Sequence, residues 1–115
     1  MIYYIPIETE AIGLVNMDES IMPGLLEELL EGFGVRIRYE TIKQDQNLAY
    51  IAGGLCVLKG EYILIVNSGA STRERVMTLA TGLKHFDLDK VYIRPDVREL
   101  LDKIPEQKPF NISST

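Results

Sequence analysis

The only histidine of the chain, His85, lies in the stretch LATGLKHF (residues 79–86), four residues after Thr81. Side chains four residues apart lie on one face of a helix, and two zinc ligands at this spacing converge on one metal ion. Threonine, however, is a poor zinc ligand beside imidazole. Gly82 has no side chain that could act as a general base on a metal-bound water. These residues therefore predict no metal site, no catalytic residue and no cofactor.

Two other short features could carry chemistry. Cys56 is the sole cysteine, and a Cys56–His85 nucleophile pair has no evident third group to orient it. We expect Cys56 to pack as a small apolar residue. The stretch NSGAST (residues 67–72) could bind an anion at a helix N-terminus, but it lacks the lysine and the second spaced glycine of a phosphate loop. A strand-to-helix turn is the favoured interpretation.

A helix is predicted to position Thr81 and His85. Ser71 and Glu74 form the Ser-x-x-Glu pattern of a capping box at its start. Apolar residues follow at i, i+3, i+4 and i+7 and predict the core-facing side: Val76, Leu79, Ala80 and Leu83. At about 100° per residue, Thr81 and His85 fall about 140° and 180° from the first of these.

The opposite side of this helix is the candidate groove. It comprises four residues that we expect to face solvent: Glu74, Thr78, Thr81 and His85. His85 is predicted to be a surface residue near the helix C-terminus, where a positive charge is favoured by the helix dipole.

Four stretches are predicted to form strands: residues 2–7, 35–42, 55–58 and 62–66. Pro6 limits the first to an edge or an extended segment. The second alternates apolar and polar residues, which indicates a half-buried strand. The last two should form a hairpin in which Gly60 supplies a positive φ. Because residues 62–66 are apolar at every position, we expect them to be the central strand.

Two further helices are predicted. One begins at Pro23 and ends at Gly32 and Gly34. Its apolar stripe has the i, i+1, i+4, i+5 spacing: Leu25, Leu26, Leu29 and Leu30. The other begins at Pro95 and ends at Pro105, and its apolar face is Val97, Leu100, Leu101 and Ile104. Residues 91–93 could form a short extended segment before it.

These elements predict an α+β fold. About three helices would pack on a short, at least partly antiparallel sheet in a single domain over residues 1–104. Residues 105–115 contain prolines and small polar residues and are predicted to be a flexible C-terminal tail.

The run YILIVNSGASTRERVMTLATGLKHF (residues 62–86) resembles the ImmA/IrrE family of zinc metallopeptidases. In that family the typical order is a strand, an Asn, a short Ser-containing loop, an Arg, and a helix that ends in Ala-His-Glu-Leu-Gly-His. Family-like positions are Asn67, Arg73 or Arg75, Leu79, Ala80, Leu83, His85 and Phe86. With the preceding hairpin and the upstream helix and strand, the resemblance covers residues 25–86. It implies a minimal zincin-like fold.

The departures from the family fall on its functional positions. Thr81 stands where the family has its first histidine, Gly82 where it has the catalytic glutamate, and Lys84 where it has a glycine. The family's third ligand is a downstream acidic residue, and nothing selects one among Asp87, Asp89, Asp96 and Glu99. The resemblance thus implies a degenerate member without the family's activity.

The charge balance bears on partners. The net charge is −5, from 12 basic and 17 acidic residues, which disfavours nucleic acid and anionic membrane surfaces. The apolar runs are too short for a membrane span, and the N-terminus lacks the basic region of a signal peptide. We expect a cytoplasmic protein.

These observations predict a non-catalytic domain that binds a protein or peptide in a groove beside the Thr81/His85 face. Strand addition at a sheet edge would be the natural mode. Two alternatives stay open: a homo-oligomeric, toxin–antitoxin-like regulator, and a hydrolase whose site is not recognised.

Overall fold

The computed structural model describes residues 3–7, 19–42 and 52–106. In these ranges the elements are β1 Tyr3–Ile7, α1 Met22–Gly32, β2 Val35–Glu40, β3 Gly53–Leu58, β4 Glu61–Asn67, α2 Thr72–Leu83 and α3 Pro95–Asp102. The strands form one sheet in the order β1-β3-β4-β2. β3 pairs antiparallel with β1 and β4, and β2 pairs parallel with β4. The predicted α+β class, with three helices and a partly antiparallel sheet, is confirmed.

The sheet follows the local signals of the sequence. Lys59 and Gly60 join β3 to β4 with φ of 53° and 79°, as the two-residue hairpin turn requires. β4 lies inside the sheet, and Ile63, Leu64 and Val66 are buried. β1, which contains Pro6, is an edge strand. Residues 91–93 join no strand of the described sheet, and residues 107–115 of the predicted tail lie outside the described residues.

Helix α1 carries two apolar stripes instead of one. Met22, Leu26 and Leu30 are fully buried and belong to the hydrophobic core. Leu25 and Leu29 lie on an adjacent side of the helix and are only half-buried. Pro23 lies in the first turn, and the helix is followed by a glycine with φ of 84° at position 34. The second stripe is therefore free to line a surface feature.

Helix α2 packs closely on the sheet through two glycines. A Cβ atom at Gly82 would lie 3.3 Å from both δ carbons of Leu64. A Cβ at Gly53 would overlap the carbonyl oxygen of Ile65 and lie 2.7 Å from Cγ2 of Thr78. Both contacts bring helix and strand closer than a larger residue would permit.

Among the described residues, no helix has the length and apolar character needed to cross a membrane.

Candidate functional site

Glu74, which was expected on the groove face, forms part of the N-terminal cap of α2. Its backbone N–H donates to Oγ of Ser71 over 3.2 Å, and its Oε1 accepts from the backbone N–H of Ser71 over 2.8 Å. The predicted capping box is confirmed. Because the Glu74 carboxylate satisfies a backbone group at the helix start, it is committed to holding that end of the helix.

The expectation that Thr78, Thr81 and His85 face solvent is wrong. Their exposed fractions are 0%, 9% and 5%. Every residue of α2 from Val76 to Leu83 is buried, because the helix contacts α1, α3 and three strands. The prediction assumed an amphipathic helix with one buried face and one exposed face. A helix that is covered on several sides does not have an exposed face of that kind.

The position that would carry a catalytic glutamate faces the core. Gly82 packs on Leu64, which is fully buried. His85 lies beyond the end of α2, in the turn that follows it. Thr81 and His85 therefore belong to different local structures, and the continuous helical face that the sequence predicted does not reach His85.

His85 borders a polar cleft of about 400 Å³. The charged residues that line this polar cleft are Lys84, Asp87, Asp89, Arg98, Asp102 and Glu106. Lys84 Nζ lies 2.9 Å from Oε1 of Glu106, and the Lys84 side chain is only 9% exposed. That pair ties the end of α2 to the residues that follow α3.

The acidic residues considered as a third metal ligand divide into two groups. Asp87 and Asp89 line the polar cleft with His85. The other two form ion pairs elsewhere, Asp96 with Arg94 at 3.0 Å and Glu99 with Lys103 at 3.8 Å. Within residues 19–42 and 52–106, no group of three His, Cys, Asp or Glu side chains could hold a metal ion.

A second cleft, which the sequence reasoning missed, lies between α1 and the segment that leads into α3. It measures about 370 Å³ and is here called the α1–α3 cleft. Its apolar lining is Leu25, Leu29, Phe33, Val91, Tyr92 and Val97, and the exposed charged residues Glu28 and Arg94 also line it. Tyr92 is 79% exposed, which is unusual for a large aromatic residue beside an apolar surface.

The walls of the α1–α3 cleft are held by packing on the core. The ring of Phe33 stacks on Phe86 with centroids 5.2 Å apart, and Phe86 meets Tyr62 edge-on at 5.0 Å. On the other side of the cleft, Val97 is 1% exposed, and Ile93, which directly follows Tyr92, is 7% exposed. The segment that follows Tyr92 is therefore anchored in the core, whereas Val91, directly before it, is 37% exposed.

The far side of α1 carries a polar cluster that closes its contact with β2. The hydroxyl of Tyr39 donates to Oε2 of Glu27 over 2.7 Å. The guanidinium carbon of Arg75 lies 5.4 Å from the Tyr39 ring centroid. Burial, and then the Glu27 carboxylate, raise the pKa of Tyr39 to about 12. The Glu27 carboxylate is thus occupied by a hydrogen bond between α1 and β2.

The signal for the α1–α3 cleft was present in the sequence. Leu25, Glu28, Leu29, Gly32 and Phe33 follow i, i+3, i+4, i+7 and i+8 and so share one side of α1. The pattern i, i+1, i+4, i+5 of the leucines is wider than one buried stripe needs, and half of it is left to line the cleft.

Comparison with known proteins adds no family: neither the family models, nor the curated proteins, nor the solved structures gave a match.

Proposed function

We propose that this chain is a non-catalytic domain that binds a segment of another protein in the α1–α3 cleft. The observation that carries the proposal is the exposed Tyr92 beside an apolar cleft whose walls are anchored in the core. Exposed aromatic residues beside apolar pockets are typical anchors of protein–protein contacts. A volume of about 370 Å³ suits one or two large side chains of a peptide better than an extended ligand.

Two positions that the resemblance aligns with functional residues of the family support the non-catalytic part of the proposal. Gly82 packs on Leu64, and Thr81 is 9% exposed. Neither position can present a side chain to a bound substrate without a rearrangement of α2. Descent from a metallopeptidase-like fold stays a proposal, supported by the resemblance and by the order of strand, capped turn and helix.

The docking place differs from the one expected from the sequence. Binding beside Thr81 and His85 loses its support because both residues are buried. The α1–α3 cleft takes its place in the proposal because its apolar lining reaches the surface.

A pair of glycine variants tests the proposal. Gly24 and Gly32 both lie in α1, and a Cβ atom at either would have no atom within 4 Å. Only Gly32 lines the cleft. Gly32→Leu therefore fills the cleft, whereas Gly24→Leu makes the same chemical change away from it, and neither should disturb the fold.

The experiment is a selection of random peptides displayed on phage against the wild-type protein. The selected peptides are then synthesised, and their Kd values are measured for the wild type and both variants. We expect Kd values in the micromolar range for the wild type and for Gly24→Leu. Gly32→Leu should weaken binding about tenfold or more, because excluding one apolar anchor removes about 1.5–3 kcal/mol. Peptides that bind Gly32→Leu as tightly as the wild type, or a selection that yields no binder, would count against the proposal.

A further inference from the structure

The charge around the α1–α3 cleft is one-sided. Glu28 lines the cleft, and Glu31 lies one turn further along the same exposed flank of α1. Neither forms an ion pair with a described residue. They differ in this from Glu27, whose carboxylate accepts the hydrogen bond of Tyr39.

The positive charge at the cleft is compensated within the fold. Arg94, on the wall opposite α1, has its Nη2 3.0 Å from Oδ2 of Asp96. Among the described residues, the charge at the cleft without an ion-pair partner is therefore that of Glu28, reinforced by Glu31. The whole chain carries a net charge of −5, so the long-range field has the same sign.

We infer that the partner segment carries one or two large apolar side chains with lysine or arginine next to them in sequence, an inference that rests on the function proposed above. The apolar side chains enter between Leu25, Leu29 and Tyr92. The adjacent cation lies beside Glu28, at the exposed flank. Complementary charge at such a rim selects the partner and speeds the encounter more than it tightens the complex.

A second copy of this chain fits the cleft less well. A two-fold symmetric contact brings together the same surface patch of both copies, so the interface would contain Glu28 and Glu31 twice. Like charges placed opposite one another oppose association. A basic, apolar peptide meets no such opposition.

The probes for the test are the fluorescein-labelled peptides obtained from the selection, each with matched copies in which every lysine and arginine is replaced by glutamine or by glutamate. Binding is followed by fluorescence anisotropy at 50 mM and 500 mM NaCl. Two protein variants complete the set. Glu28→Lys reverses the charge at the cleft, and Asp102→Lys makes the same change in net charge at an exposed position of the polar cleft.

We expect the basic peptides to bind the wild type about three- to tenfold more tightly than their glutamine copies at low salt, with the preference shrinking at high salt. Glu28→Lys should abolish or reverse the preference, and Asp102→Lys should keep it within about twofold. Selected peptides without basic residues, or a preference that survives Glu28→Lys, would overturn the inference and leave the proposed function standing. A dimer in sedimentation that Gly32→Leu dissociates would overturn the inference in favour of a second copy as the occupant.

Discussion

Replacing Gly82 by glutamate tests whether α2 could hold the catalytic residue of the peptidase motif. A Cβ atom at this position would lie 3.3 Å from both δ carbons of Leu64. Leu64 is fully buried in the core cluster. The new carboxylate would therefore enter the hydrophobic core between α2 and β4, against the apolar side chain of Leu64.

The expected cost combines two terms. Forcing extra atoms into a packed core costs about 1–3 kcal/mol. An uncompensated buried charge costs about 3–5 kcal/mol. The sum, about 4–8 kcal/mol, is comparable to the whole stability of a domain of this size, about 5–15 kcal/mol. We expect Gly82→Glu to be largely unfolded or close to it at 25 °C.

The measurement is urea denaturation followed by circular dichroism at 222 nm, with Gly82→Ala as control. The alanine variant gains about 1 kcal/mol of helix propensity against a tight contact with Leu64, so its stability should change by less than about 1.5 kcal/mol. A folded Gly82→Glu that loses less than about 1 kcal/mol would refute the reasoning, because position 82 would then be open to solvent. Stoichiometric zinc in a folded Thr81→His, Gly82→Glu double variant would refute it as well.

Three further predictions concern Thr78, Gly53 and Tyr39. Thr78→Val should raise the free energy of unfolding by about 1 kcal/mol, because Oγ1 of Thr78 is buried without a hydrogen-bond partner among them; a lower melting temperature than wild type would contradict this. Gly53→Ala should lower the free energy of unfolding by about 2–3 kcal/mol in urea denaturation, because its Cβ would overlap the carbonyl oxygen of Ile65, and a loss below about 0.5 kcal/mol would be evidence against that close approach. The 295 nm titration of the wild type minus that of Tyr39→Phe should have its midpoint near pH 12 and not near 10. Since the folded pKa lies above the unfolded one, the associated stability is present below about pH 10 and is lost as the pH rises toward 12.

The elements that the sequence predicted well are those decided by local chemistry. The hairpin depends on two residues with positive φ, and Gly60 signals such a turn directly. The start of α2 depends on Ser71 and Glu74, three residues apart, and both hydrogen bonds of the box are formed. The position of β4 inside the sheet follows from its continuous apolar run, because a strand with one solvent-exposed face would alternate apolar and polar residues. In each case the signal lies within a few residues of the structure that it specifies.

The candidate groove could not be predicted because its burial depends on distant parts of the chain. Thr78 packs on Gly53 of β3, which is 25 positions earlier in the sequence. His85 does not lie on the predicted helical face because α2 ends at Leu83. The α1–α3 cleft was missed for a related reason. The leucines of α1 show that apolar surface exists, but only the packing of α1 on α2 and β2 decides which half of it is covered.

The single thiol of the chain lies at an informative place. Cys56 is in the middle of β3, between β1 and β4, and is 5% exposed; burial raises its pKa. Because side chains of a strand point out of the plane of the sheet, an alkylating reagent can reach this sulfur only when the packing over that face of β3 opens. The rate of its modification in the native protein therefore reports the free energy of uncovering that face. The protein carries this probe without any substitution, so the effect of partner binding at α1 on the opening of the sheet face can be measured directly.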